Sequence, residues 1–521
     1  LTPQQISEWK QENNGPRLLY IEKSIGYEAN DYLVLDYQLP SIQTMGTEKS
    51  KATSYGVIRA NNYNEVADVD VTIKAPHGMT LVITENAKIN KASSTAVTTR
   101  NLYIAENLEK MTIDAGHGDI NFVYRYDEEK LSLGEFKYDI DELPHHRLYV
   151  LSRGYDKDLK TVLNVSGGTI VLKPDDNNHS FDNVSYLNRG TVIGICSITA
   201  TLTQTATTGN NEIILHARSG KATYGVHGFD HGEATLKAAQ INRIRVKTAS
   251  GVLTGDGGAA VGALYDSTLN LVAQSNDIYV EQHETEPEPH KTCGTVANAN
   301  STVNITAEKD PLKIGQESTI PLNNRIEAKG GKDVYGLFAI SKGSIHLDAQ
   351  GDNIITASSL DTNTQKETHN HIGINNQGGT VGLVAGGRNQ IMATDTGIES
   401  VAKSNEAETT IDGAIDLIAP IAISATATNQ KVAKVALDYQ GESRIMGDVL
   451  SKEGATVAVA SKDTTGKLTF SGFARNDRYD DPNASKLSTL DIDLGHNGTW
   501  SMTDSSSITK LAGLGTVNFM K

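Results

Sequence analysis

Between about residues 190 and 400 the chain repeats one pattern six times, and no other feature restricts its folding as much. Each copy holds a Gly flanked by apolar residues, an apolar strand ending in Ala, then Asn or Asp, then an apolar residue two positions on. The leading glycines are Gly194, Gly225, Gly262, Gly294, Gly336 and Gly373. The strand segments are Thr201–Ala206, Thr235–Ala239, Thr268–Ala273, Thr302–Ala307, Ser344–Ala349 and Thr380–Ala385, and the turns fall at Asn211, Asn242, Asn276, Asp310, Asp352 and Asn389. Subtracting successive glycine positions gives spacings of 31, 37, 32, 42 and 37, so the period is loose while the internal order holds. Stacked coils behave this way, because their strands must stay in register while the loops between them lengthen outward. A propeller blade would need a tighter four-strand unit.

The side chains suit such a stack. Hydrophobic residues make up 38% of the 521 and aromatics only 6%, with 47 Gly against 12 Pro, so the core is built from small aliphatic groups. Short Val/Ile/Leu/Thr runs alternate with Gly/Asn/Asp/Ser turns, as in Leu33–Tyr37, Asp70–Lys74, Thr80–Thr84 and Thr161–Val165. The reading is an all-β parallel solenoid with roughly 25 to 35 residues per coil and neighbouring coils ~4.8 Å apart. Asn and Asp at the corners tolerate left-handed backbone and can hydrogen-bond along the axis, and Gly gives room at tight bends. Residues 1–50 read as an N-terminal cap region. Within it, Thr2 before Pro3, with Gln5 three positions after the cap, predicts a short helix over residues 3 to about 12, packed down by Trp9. Residues 51–485 read as the solenoid, and 486–521 as its last coils.

The formal charge of −16, from 47 Lys+Arg against 63 Asp+Glu, disfavours nucleic acid as a partner. Only Cys196 and Cys293 are present, so no disulfide framework holds the fold. They stand three repeats apart, ~14 Å or more along the axis at one coil per repeat, and a disulfide needs Cα atoms within about 7 Å. Two free thiols are therefore expected. No run of eighteen apolar residues occurs, and Leu1 opens the sequence without a basic and apolar leader, so neither a membrane span nor an uncleaved signal is expected.

The segment Leu490–Phe519 resembles the end of the passenger domain in monomeric autotransporter adhesins. Gly498, Thr499, Trp500, Thr503, Ser506, Leu511, Gly515, Val517 and Phe519 fit that family's pattern of Gly-Thr-Trp, Thr, Ser, Leu and Gly-Thr-Val-x-Phe. The resemblance covers under a tenth of the chain. It implies a right-handed parallel β-helix whose last coils act as an autochaperone, followed in the family by a β-barrel in the outer membrane. It also implies export to the bacterial surface, with the passenger retained there or released. No barrel sequence is present before Lys521.

Catalytic motifs offer a competing reading. The family's serine proteases need Gly-Asp-Ser-Gly, and the nearest match, Gly255-Asp256-Gly257-Gly258, lacks the nucleophilic hydroxyl. Polysaccharide lyases and hydrolases on β-helices set carboxylates and a base along a groove. The clusters at Asp127–Glu129, at Asp139, Asp141 and Glu142 before His145–Arg147, and at Asp175–Asp176 read more simply as solvated loop charge. Two segments look like insertions able to contact a partner: Glu281–His290, with Glu286, Glu288 and His290, and Ser358–His371, with Glu367, His369 and His371. Glu367, His369 and His371 alternate as cation ligands could, but a site would need more ligands, so no metal and no cofactor is expected.

The functional expectation is a non-enzymatic cell-surface adhesin that attaches to glycans or proteins of host or bacterial cells and drives aggregation and biofilm formation. Self-association between cells is a variant of it. The alternative is a carbohydrate-active enzyme, lyase or hydrolase, on the same scaffold.

Overall fold

A computed structural model describes residues 19–21, 24–39, 53–60, 67–85, 100–106, 108–126, 146–147, 151–153, 160–174, 189–217, 219–249, 258–283, 291–315, 317–318, 320–360, 370–428, 431–477 and 487–520. The predicted helix over 3–12 and Trp9 lie outside them. The described residues are all-β apart from turns and form parallel ladders in a solenoid-like arrangement. No helix among them is long and apolar enough to cross a membrane. They divide into two compact units, one up to Gly258 and one from Ala259 onward.

In each unit a coil is built from three strands, and each strand pairs in parallel with its counterpart one coil later. In the first unit Thr161–Gly167 pairs with Ala200–Ala206, which pairs with Glu233–Ala238. In the second, Thr268–Ala273, Thr302–Ala307, Ser344–Ala349 and the start of Thr380–Ala393 pair residue for residue, so Leu269, Val303, Ile345 and Val381 stack in one buried column. That is the register the second-unit repeats predict. Alternate residues point inward because a strand's side chains alternate between faces, which is why Leu271, Ile305, Leu347 and Leu383 form a second buried column two residues on. In the first unit the repeat alignment needs correcting. Thr235 pairs with Thr203 rather than with Thr201, because the coil containing it turns into its second strand two residues earlier.

The repeat glycines sit at a bend inside the first strand of a coil. The Cα ladder pairs the residues on either side of them and skips the glycines themselves: Cys293↔Tyr335 and Thr295↔Leu337, then Tyr335↔Ile372 and Leu337↔Ile374. A Cβ on Gly336 would lie 2.5 Å from a methyl of Ile355 and 2.6 Å from the carbonyl oxygen of Gly373, so close stacking at the bend excludes any side chain. Gly294, Gly373 and Gly397 meet the same limit, against an inward Ile or Leu and the next coil's carbonyl.

Of the two roles expected of the corner asparagines, the left-handed backbone is not found and the hydrogen bonds along the axis are. None of the repeat asparagines has a left-handed backbone. The non-glycine left-handed residues include the pairs Asp230–His231, Tyr265–Asp266, Ala299–Asn300 and Ser341–Lys342, each between the first and second strands of a coil. The asparagines use their side chains. Asn276 donates to Asn324 Oδ1 (2.8 Å), Asn324 to Asn353 (3.0 Å) and Asn353 to Asn389 (2.9 Å). Each amide also closes the carbonyl that ends a second strand: Thr306, Asp348, Val384 and Asp412 in turn, at 2.8–2.9 Å. In the first unit Asn211 donates to Asn242 (2.9 Å) and to Lys237 O (2.8 Å).

Two of the predicted corner residues are therefore corrected. The ladder positions are Asn324 and Asn353, not Asp310 and Asp352. Asp310 instead closes a turn inside an insertion, accepting from the amides of Ile314 and Gly315 (2.9 and 2.7 Å). Asp352 accepts from the Arg388 amide (2.8 Å). The ladder steps are 48, 29 and 36 residues, the longest being the one that spans the insertion. Cys196 and Cys293 are both buried, and neither is in a disulfide.

Candidate functional site

Of the candidate binding residues, Glu286, Glu288, His290, Glu367 and His369 lie outside the described residues, as do Asp127–Glu129, Asp139, Asp141, Glu142, His145, Asp175–Asp176 and Asp256. Their place in the chain is informative even so. The stretches 40–52, 86–99, 127–145 and 175–188, and further on 284–290 and 361–369, all connect the third strand of one coil to the first strand of the next. The corner leading into the third strand is closed more tightly in most coils, as at Ala75–Gly78, Ala115–Gly118 and Gln274.

His371 lies at the edge of one such stretch, and the structure places it in the strand Asn370–Gln377 rather than in a projecting loop. It is 2% exposed. Its backbone amide and its Nδ1 both meet Asp395 Oδ2 at 2.8 Å, and its Nε2 meets the Gly331 carbonyl at 3.0 Å. The ring thus ties one coil to the coils before and after it. Beside it, Asn370 donates to Asp333 Oδ1 across the same ladder (2.8 Å).

The bend next to this corner gathers side chains that the repeat pattern does not mark. Positions −1 and +2 from the repeat glycine converge on one side of the bend. In the second unit Tyr335 and Phe338 have ring centroids 4.9 Å apart, and the Lys291 ammonium lies 5.3 Å from the centre of the Phe338 ring. In the first unit Tyr224 and His227 stack at 4.2 Å, with Cys196 Sγ 3.6 Å from His227 Nδ1. Down the second unit the +2 column runs Val296, Phe338, Asn375, Glu399, Ser424, passing from apolar to polar. Burial pushes the Tyr335 phenol above its ordinary value, with Asp333, Cys293 and Glu399 acting in the same direction and the Asn375 amide opposing them. Burial likewise raises the Glu399 carboxyl, against the pull of Lys403. Aligning the repeats on their glycines and reading −1 and +2 would find these residues.

The third-strand face of the second unit is held by ion pairs. Glu327 receives Arg325 and Lys329 at 2.7 Å each; burial opposes its ionisation, yet those two hydrogen bonds and charges hold its carboxyl below the ordinary value. Arg444 makes two bonds to Asp416, at 2.7 and 2.8 Å. Among the described residues no group of three or more His, Cys, Asp or Glu is arranged to hold a metal. The geometry offers rigid, laddered faces and columns of outward side chains, which suit multipoint contact. No family model, curated protein or solved structure matches the chain.

Proposed function

We propose that this chain is the passenger of a bacterial autotransporter, a right-handed parallel β-helix carried to the cell surface, and that it works as an adhesin. The observation that carries this reading is the division of labour at the coil corners. Asparagine side chains lock the second corner from coil to coil, even across the insertion 308–323, while the third-to-first corner carries a connection outside the strands at many successive coils. Such a scaffold keeps its strands fixed and lets its connections vary, which is how recognition is usually mounted on a rigid frame. Affinity comes from many shallow contacts with glycans or proteins on host or bacterial surfaces.

The test is surface display of the chain on a non-adherent bacterium, with adherence to cultured cells and settling of the suspension both measured. Adherence or clumping above that of cells with an empty display vector is the expected result. Depolymerisation of an acidic polysaccharide by the purified chain, with no gain in adherence, would replace the adhesin with a carbohydrate-active enzyme.

A further inference from the structure

We infer that Tyr32, in the first unit, is the stacking platform of a carbohydrate site. The inference deepens the adhesin reading by naming a ligand class and a position. Tyr32 opens the turn into the strand Leu33–Leu39, and its ring reaches across the next coil instead of into the core. It lies over Gly78, where a Cβ would come within 2.9 Å of Tyr32 Cε2, and Gly78 has a φ of +96°, so the residue beneath the ring is held to glycine on two counts. The phenol is fixed at its tip. Asn121 Nδ2 donates to it at 3.2 Å, and it shares a hydrogen bond with Thr80 Oγ1 at 2.7 Å. One side chain is thereby pinned across three coils.

The phenol oxygen holds two hydrogen bonds within the protein, yet the residue stays 46% exposed. What it offers to solvent is ring. Val34 stands next to it, 60% exposed, at the head of the outward column Val34, Thr80, Asn121. Among the described residues, the exposed neighbours around this apolar spot are polar: Asn30, Asp31 and Asp36 on the same coil, and His77 and Asp119 at the corners of the next two.

The size and composition of the spot select the ligand. One ring and one isopropyl group make too small an apolar surface for a protein interface, which needs a patch of several hundred Å². They match a single sugar ring, whose face of C–H bonds is weakly positive and lies against the negative face of an aromatic ring. The hydroxyls at the sugar's rim then meet the carboxylates, amides and imidazole around Tyr32. Because the ring is already immobilised by Thr80, Asn121 and Gly78, binding loses little side-chain freedom.

The experiment uses the purified chain on an array of glucose-, galactose- and N-acetylglucosamine-terminated oligosaccharides, followed by calorimetric titration with the strongest neutral binder. Tyr32→Ala should weaken that binding by about tenfold or more, while Tyr32→Trp should retain it. Thermal unfolding of both variants, measured alongside, separates lost stacking from lost folding. The site is overturned if Tyr32→Ala binds as well as the wild type, or if no sugar on the array binds the wild type. Failure here and failure of adhesion are distinguishable. Cells that adhere through a chain binding no sugar would remove the site alone, and a chain that binds sugar through Tyr32 without making cells adhere would remove the adhesin alone.

Discussion

The same corner of the coil is closed in two ways in the two units. In the early coils of the first unit it is a local turn: the Gly78 amide bonds the Ala75 carbonyl and the Gly118 amide bonds the Ala115 carbonyl, both at 2.8 Å. The residues that follow, Met79, Ile120 and Ile170, stack as an apolar column. From Asn211 the column becomes asparagine, and in the second unit it runs Asn276, Asn324, Asn353, Asn389. A turn that bonds to itself stabilises one coil. An amide that closes its neighbour's carbonyl stabilises the junction between two, so the second unit carries more of its stability in coupling between coils, the term that sets cooperativity in repeat proteins.

The sharpest way to break that coupling is Gly336→Ala. Its Cβ would press on Ile355 and on the Gly373 carbonyl at once, and backbone cannot rotate away as a side chain can. A loss of about 3 kcal/mol or more is expected in urea unfolding of the full chain. Asn353→Ala comes next, because it strips the Val384 carbonyl and Asn389 Oδ1 of their donor in a fully buried site. We expect about 2–3 kcal/mol. A cost under about 0.5 kcal/mol would mean that the ladder contributes no net coupling. The comparison is sharpened by grafting asparagine into the apolar column. Ile120→Asn would bury an amide between Met79 and Ile170, whereas Ile170→Asn would stand directly before Asn211 and could extend its ladder. The first should be the costlier by about 1–2 kcal/mol in the same measurement.

Much of this architecture is legible in the sequence. Thr268–Ala273, Thr302–Ala307, Ser344–Ala349 and Thr380–Ala385 align by eye and pair without offset, because their inward Leu, Ile and Val alternate and a closing Ala marks the corner. The ladder is legible in kind but not in every member. The insertion after Ala307 puts Asp310 where the pattern asks for a turn residue, and the true partner Asn324 lies beyond it. His371 is misplaced for a different reason. Its polar surroundings in sequence read as a loop, while the groups that satisfy it, Gly331 and Asp395, stand 40 residues before and 24 after. The −1 and +2 columns escape because strict alternation fails at the glycine bend. Gly336 and Leu337 are consecutive yet both buried, so a period of two misassigns every residue past the bend.

Glu399 offers the mildest test, and it bears on whether the polar end of the +2 column costs stability. Burial raises its carboxyl pKa in the folded chain, so the folded state holds a proton more tightly than the unfolded chain, whose carboxyl keeps its ordinary value of 4.5. Where the folded carboxyl is protonated and the unfolded one is not, folding takes up a proton, and stability falls as pH rises through that window. Lowering the pH from neutral toward 4.5 should therefore recover stability at this position, against whatever the other carboxylates do. Glu399→Gln removes the titrating group while keeping its shape. The variant should lose that component of the pH dependence and be slightly the more stable of the two at neutral pH, by well under about 1 kcal/mol given the group's partial exposure. Parallel stability curves for the two proteins from about pH 4.5 to 7 would show that water reaches the carboxylate freely and that the column is polar at no cost. Converging curves, meeting at the acid end, would show that an ionised group is held there against its solvation, as expected of a side chain kept for contact and not for packing.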